Sequence, residues 1–133
     1  MTKVKQQSGV MLLEVLIALL IFAVGVLGLV GMQAMAIKLT GESKYRAEAA
    51  SYAEQLLNQM RVDVLADYSS GSPKLNAWKT RIQGAGGLPG TTLAGNEPTA
   101  VVDTVTGQVT ITVRWQPPDA QAASRFVTVA LMR

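Results

Sequence analysis

VMLLEVLIALLIFAVGVLGLVGM, residues 10–32, is an apolar run broken by a single charge, Glu14. About 23 residues at a helical rise of about 1.5 Å span roughly 34 Å, slightly more than the roughly 30 Å hydrocarbon core of a bilayer. The run is long enough to cross a membrane. Ahead of it stands a short basic leader, MTKVKQQSG at 1–9, which carries Lys3 and Lys5 and ends on Ser8 and Gly9. A conventional secretory signal places its small-residue cleavage site after an apolar core of about 7–15 residues. Here the glycine comes first and the run is too long for a signal core, so cleavage at Gly9 would leave the apolar helix on the mature chain.

Beyond the run, about 100 residues remain, enough for one small domain and not for two. Of the 12 Lys and Arg, Lys3 and Lys5 lie in the leader, which leaves ten basic against nine acidic side chains elsewhere. That balance gives no nucleic-acid footprint, because phosphate binding requires clustered positive charge. The chain has neither cysteine nor histidine. It therefore has no thiolate or imidazole metal site, no Cys-His pair and no Ser-His-Asp triad. No cofactor is expected.

Glu14 needs its own account, since a carboxylate in hydrocarbon costs about 2.5–3.5 kcal/mol on insertion scales and is normally neutral, near an interface, or paired. Four residues past Val10, it lies only about 6 Å inside a helix that starts there. One reading is an interfacial glutamate supported by the positive end of the helix dipole. The other is an acid that attracts the free ammonium of a neighbouring subunit's first residue and so sets axial register. Gly25, Gly28 and Gly31 recur every three residues and would each weaken a helix in water by about 1 kcal/mol. In lipid they allow close helix approach, or they are simply glycines of the kind common in membrane helices. Orientation is not decided by charge, because Lys38, Lys44 and Arg46 follow the run as closely as Lys3 and Lys5 precede it.

Gly9, then VMLLE at 10–14, then VLIALLIFA at 15–23, resembles the class III signal and N-terminal helix of type IV pilins and type II secretion pseudopilins. The continuation VGVLGLVGMQ at 24–33 is most similar to PilV-type minor pilins. The likeness covers residues 1–40. It implies a pilin-like fold and cleavage after Gly9 by a prepilin peptidase, with methylation of the new amino group on Val10. It further implies an assembly role for Glu14. Two departures stand out: Val10 occupies a position that is usually Phe, and Gly31 one that is often a helix-kinking proline.

The rest of the chain reads as a head. No proline occurs before Pro73, so nothing forces the helix to stop at a membrane surface. Tyr45, Ala49, Tyr52, Leu56, Met60 and Val64 recur at helical spacing along one face, with Glu42 and Arg46 as an i,i+4 pair on another. One helix from about residue 10 to 65 is predicted. Residues 67–72 read as a turn, Ser72-Pro73 as a helix start with Trp78 and Ile82 on one face, and Gly84 as its end. GAGGLPGTTLAGNEP at 84–98 reads as a flexible connection without a phosphate-binding signature. Residues 100–105 and 108–115 read as a hairpin turning at Thr106-Gly107, and 125–132 as a third strand with Phe126 and Val129.

The expected organisation is thus a leader at 1–9, a transmembrane and assembly helix at 10–40, and a head at 41–133 of class α+β, with a small antiparallel sheet covering the helix. The resemblance implies a nonenzymatic minor pilin that primes or modifies type IV pilus assembly. Its partners would be the prepilin peptidase, other minor pilins and the major pilin, and an inner-membrane assembly platform. It would wait as a single-pass inner-membrane protein with a periplasmic head before joining the pilus. A minor pseudopilin of type II secretion is the near alternative, since EVLIAL at 14–19 resembles that family's EVLVAL-type subunit. An anchored binding domain is the distant one. A hydrolase is disfavoured because Asp63, Asp67, Glu97, Asp103 and Asp119 show no motif spacing.

Overall fold

The computed structural model describes residues 8–132, so the basic part of the expected leader, with Lys3 and Lys5, lies outside the described residues. In chain order the elements are α1 (Ser8–Val62), a single 3-10 turn (Leu65–Tyr68), α2 (Pro73–Gln83), β1 (Thr99–Asp103), β2 (Gln108–Trp115) and β3 (Ser124–Leu131). The chain divides into two compact units, one ending at Gly41 and the other comprising Glu42–Arg133. In the first unit every large apolar side chain from Val10 to Leu39 is exposed.

In the second unit the helical stripe is buried. Ala49, Ala53, Leu56, Leu57 and Met60 line the core, with Tyr45 and Tyr52 partly buried beside them. Glu42 does not pair with Arg46. Its carboxylate instead accepts a hydrogen bond from Trp115 Nε1 at 3.4 Å, and the exposed i,i+4 ion pair is Lys44–Glu48 at 3.7 Å. Nor does α1 reach residue 65: it ends at Val62, and Val64 is 67% exposed rather than on the buried face. The stop is set by Asp63, whose carboxylate takes hydrogen bonds from Tyr68 and Lys74 and turns the chain back over the core. What reads as a turn at 67–72 is thus partly the 3-10 turn that seats Tyr68, 1% exposed, among the core residues.

Helix α2 starts where its cap chemistry places it. The Ser72 hydroxyl accepts from the Leu75 N–H at 3.3 Å, and Pro73, which has no N–H to leave unpaired, takes the first turn. Leu75, Trp78 and Ile82 are buried, and Trp78 Nε1 donates to the Tyr52 carbonyl on α1 at 2.9 Å.

The glycine-rich connection is packed and hydrogen-bonded. Leu88, Thr91, Asn96 and Pro98 are buried, and the segment is tied to the end of β2. Gln116 N–H donates to the Pro89 carbonyl at 2.8 Å, while Asn96 Nδ2 donates to Gly90 O and Gln116 Oε1. Gly90, at φ +68, lies so close to Gln116 that a side chain there would meet its backbone.

The sheet is antiparallel in the order β1-β2-β3, with Val101 opposite Thr110 and Thr110 opposite Val129. Period-two alternation turns Val109, Ile111, Val113 and Trp115 inward onto the helices. Strand β1 is one residue earlier than expected and stops at Asp103, because that side chain builds the connection. Its carboxylate accepts from the Val105 and Thr106 N–H groups and the Thr106 hydroxyl, leaving Val105 93% exposed. Gly107, at φ +74, closes the loop where a Cβ would strike the Met132 carbonyl. On β3, Phe126 faces the core and Val129 faces away, as opposite parity requires. The molecule is α+β, a long apolar N-terminal helix with a three-stranded antiparallel sheet.

Candidate functional site

The uncovered length of α1 is the feature of this chain that its own fold does not use. An apolar residue on every side of a helix is stable only where something apolar surrounds it, either protein or lipid. Among the described residues none covers it: residues 10–39 expose their aliphatic and aromatic side chains all round, and the helix is long and apolar enough to cross a membrane.

Glu14 lies on this helix with its side chain exposed, and no other described residue from 8 to 37 carries a charge. Position matters here. Ser8 and Gly9 are helical, so the described helix already runs through the point at which one opening at Val10 would begin. Nothing in Ser8-Gly9 interrupts the helix, which is why it runs through the expected cleavage point. Removing the residues up to Gly9 would bring the helix start to Val10, about 6 Å from Glu14, and add an ammonium there.

Gly9, Gly25, Gly28 and Gly31 all lie within helix, and a methyl group built on any of them would meet nothing within 4 Å. Among the described residues no contact therefore requires a glycine at these positions. The helix also continues unbroken through Gly31, where the resembling proteins often bend at proline.

In the head, the carboxylates have structural work. Asp63 Oδ2 accepts from Tyr68 Oη at 2.6 Å and from Lys74 Nζ at 3.0 Å, and Asp67 Oδ2 accepts from the same ammonium at 2.9 Å. Lys74 also sits 5.4 Å above the Tyr68 ring centroid, within cation–π range. Tyr68 and Lys74 hold the Asp63 carboxyl below its ordinary range, while burial and the bond to Asp63 push the Tyr68 phenol up to about 12. The two aspartates raise the Lys74 ammonium. This cluster joins the end of α1 to the 3-10 turn and α2. Sequence reasoning missed it, since Asp63 and Lys74 stand 11 positions apart in no recognisable pattern. Asp103 is committed to its hairpin connection in the same way. Among the described residues no group of three His, Cys, Asp or Glu side chains is placed to hold a metal, and every buried side-chain nitrogen or oxygen has a hydrogen-bond partner.

No protein-family model, curated protein or solved structure matches this chain.

Proposed function

We propose that this protein is a pilin-like structural subunit, a minor pilin that enters a type IV pilus through its N-terminal helix after cleavage between Gly9 and Val10. One observation carries the reading: an uncovered, membrane-length apolar helix follows Gly9 directly and holds one carboxylate, at the fifth residue after the expected cut. A plain anchor has no use for that acid, which costs insertion energy.

Cleavage gives it a use. A new ammonium on Val10 and the carboxylate of Glu14 in an adjacent subunit would attract strongly in a low-dielectric bundle, where neither is stable alone. The pair fixes how far one helix slides along the next. Gly25, Gly28 and Gly31 then serve as a close-approach surface for neighbouring helices. The peptidase acts on Gly9 and Val10 as substrate, methylating Val10, and the chain itself performs no chemistry. Before assembly the subunit waits in the inner membrane with its head in the periplasm. Its assembly partners are the other minor pilins, the major pilin and the inner-membrane platform.

Intact-mass measurement of the full chain coexpressed with a prepilin peptidase tests the first step. Loss of residues 1–9, with a methyl increment on Val10, is the expected result, and a persistent Met1 chain would overturn the reading. Glu14→Gln tests the second, because it keeps shape and removes charge. Membrane levels should hold while incorporation into fibres falls at least about tenfold, the loss of roughly 1.4 kcal/mol of assembly energy. Scoring a deletion for twitching motility against exoprotein release separates a pilus subunit from a minor pseudopilin.

A further inference from the structure

The two edges of the sheet are built differently, and only one is closed. Antiparallel ladders alternate residues whose N–H and C=O groups point to the partner with residues whose groups point away. Met132 N–H donates to the Gly107 carbonyl at 2.7 Å, which sets the phase of the β2–β3 ladder. In that phase Phe126, Thr128 and Ala130 bond to β2, and the backbone groups of Arg125, Val127, Val129 and Leu131 face the open side. These same four residues point their side chains off the core, with Val127, Val129 and Leu131 exposed by 47%, 56% and 57%.

Edge strands are normally guarded by shortness, proline, charge or a covering element. Strand β1 has most of these. It is 5 residues long, follows Pro98, carries Asp103 at its end and has the 3-10 turn packed against it. In the continuing phase its outward N–H groups are those of Ala100 and Val102, with Pro98 supplying none. Strand β3 is 8 residues long, contains no proline, and has Arg125 as its one charge.

Arg125 also identifies what should lie beside it. It stands directly opposite Arg114 on the outer face, a like-charge pairing that is unfavourable, and neither guanidinium joins an ion pair among the described residues. We propose that β3 is a docking edge for an extended strand of another protein, one that alternates apolar side chains on the outer face and places an acidic residue beside Arg125. Backbone bonding along the edge supplies affinity, and the valine row and the arginine pair supply selectivity.

A second copy of this chain is a poor occupant. Its β1 edge is closed. Pairing β3 with β3 would set no acid beside Arg125, since that strand carries Arg125 as its one charge. The partner is accordingly a different subunit with a free strand.

Amide hydrogen exchange of the full chain in detergent micelles tests this, with two capped heptapeptides as probes: Val-Thr-Val-Thr-Val-Thr-Glu for antiparallel addition and Glu-Thr-Val-Thr-Val-Thr-Val for parallel. At least one should slow the amides of Arg125, Val127, Val129 and Leu131 by about tenfold or more, leaving those of Phe126, Thr128 and Ala130 unchanged. Replacing the peptide glutamate with lysine should abolish the slowing, and Arg125→Glu should invert the preference. Slowing by neither glutamate peptide, or equally by glutamate and lysine peptides, would overturn the proposal. So would protection that appears without peptide and grows with protein concentration, which would place a second copy on the edge. The readout is confined to the head, so it is independent of whether Gly9 is cut or Glu14 acts in assembly.

Discussion

Residues 8–41 and 42–62 belong to one helical element, yet their side chains obey opposite rules. In the first length apolar residues occupy every side, and none of the large ones is buried. In the second, apolar and charged residues are sorted by the helical period, and Ala49, Ala53, Leu56 and Met60 are sealed beneath the sheet. Backbone hydrogen bonding is the same in both. The difference lies in where each length finds its solvent: the second is completed by this chain, and the first must be completed by lipid or by other helices.

The strongest way to break that contrast is to remove equal volumes from both lengths. Leu56→Ala should cost the head about 2–5 kcal/mol, and Trp115→Ala, which also frees the Glu42 carboxylate, about 3–5 kcal/mol. Leu20→Ala should move head stability in micelles by no more than about 0.5 kcal/mol, because that side chain touches no core. Denaturant unfolding followed by tryptophan fluorescence reads all three. A Leu20→Ala cost comparable to that of Leu56→Ala would mean that the first length is packed by its own chain.

Glycines sharpen the same comparison at smaller amplitude. Gly107 is fixed by a left-handed backbone and by the Met132 carbonyl, so Gly107→Ala should destabilise the head by about 1–3 kcal/mol. Gly28 faces open space, so Gly28→Ala should leave the melting temperature of the head unchanged and improve helix propensity by about 1 kcal/mol. If the glycine row packs against neighbouring subunits, Gly28→Ala nevertheless lowers fibre incorporation. Unchanged incorporation would reduce the row to ordinary membrane-helix composition.

What the sequence disclosed follows from the same division. Local signals were readable: Ser72-Pro73 with Trp78 and Ile82 placed α2, and the alternation from Val109 to Trp115 assigned the inner face of β2. The apolar run, Gly9 and Glu14 were equally plain, since the candidate site is a linear pattern. Features made by residues distant in sequence were not. Composition suggests that 84–98 is loose, but Asn96 and Gln116, 20 positions apart, pin it. The periodicity carries α1 to residue 65, but Asp63 ends it through contacts made after the chain reverses. Strand β3 stands at one side of the sheet. Which of its groups are unpaired depends on ladder phase, which no local pattern encodes. Ser72→Ala, expected to cost about 1 kcal/mol in thermal melts, checks one of the features that was legible.

The smallest expected effect concerns pH and is confined to the head. The Asp63 carboxyl is held below its ordinary range by its bonds to Tyr68 and Lys74, and Asp103 by the Thr106 hydroxyl and the Thr106 and Val105 N–H groups. A carboxyl whose pKa is lower folded than unfolded stabilises the fold above its unfolded value near 4, and that contribution disappears as pH falls through the folded value. Tyr68 and Lys74 act in the opposite sense. Raised in the folded state, they contribute fully below pH 10 and lose that contribution as pH climbs through the phenol's value of about 12 and the ammonium's raised one. The cluster is therefore intact across the neutral range and fails at both extremes. Asp63→Asn should flatten the acid limb of a melting temperature against pH curve and lower the neutral plateau, while Glu14→Gln should change neither. A shift in that limb with Glu14→Gln would show that the acid in the bare helix contributes to head stability, and the separation between the two lengths of α1 would fail on its most sensitive measure.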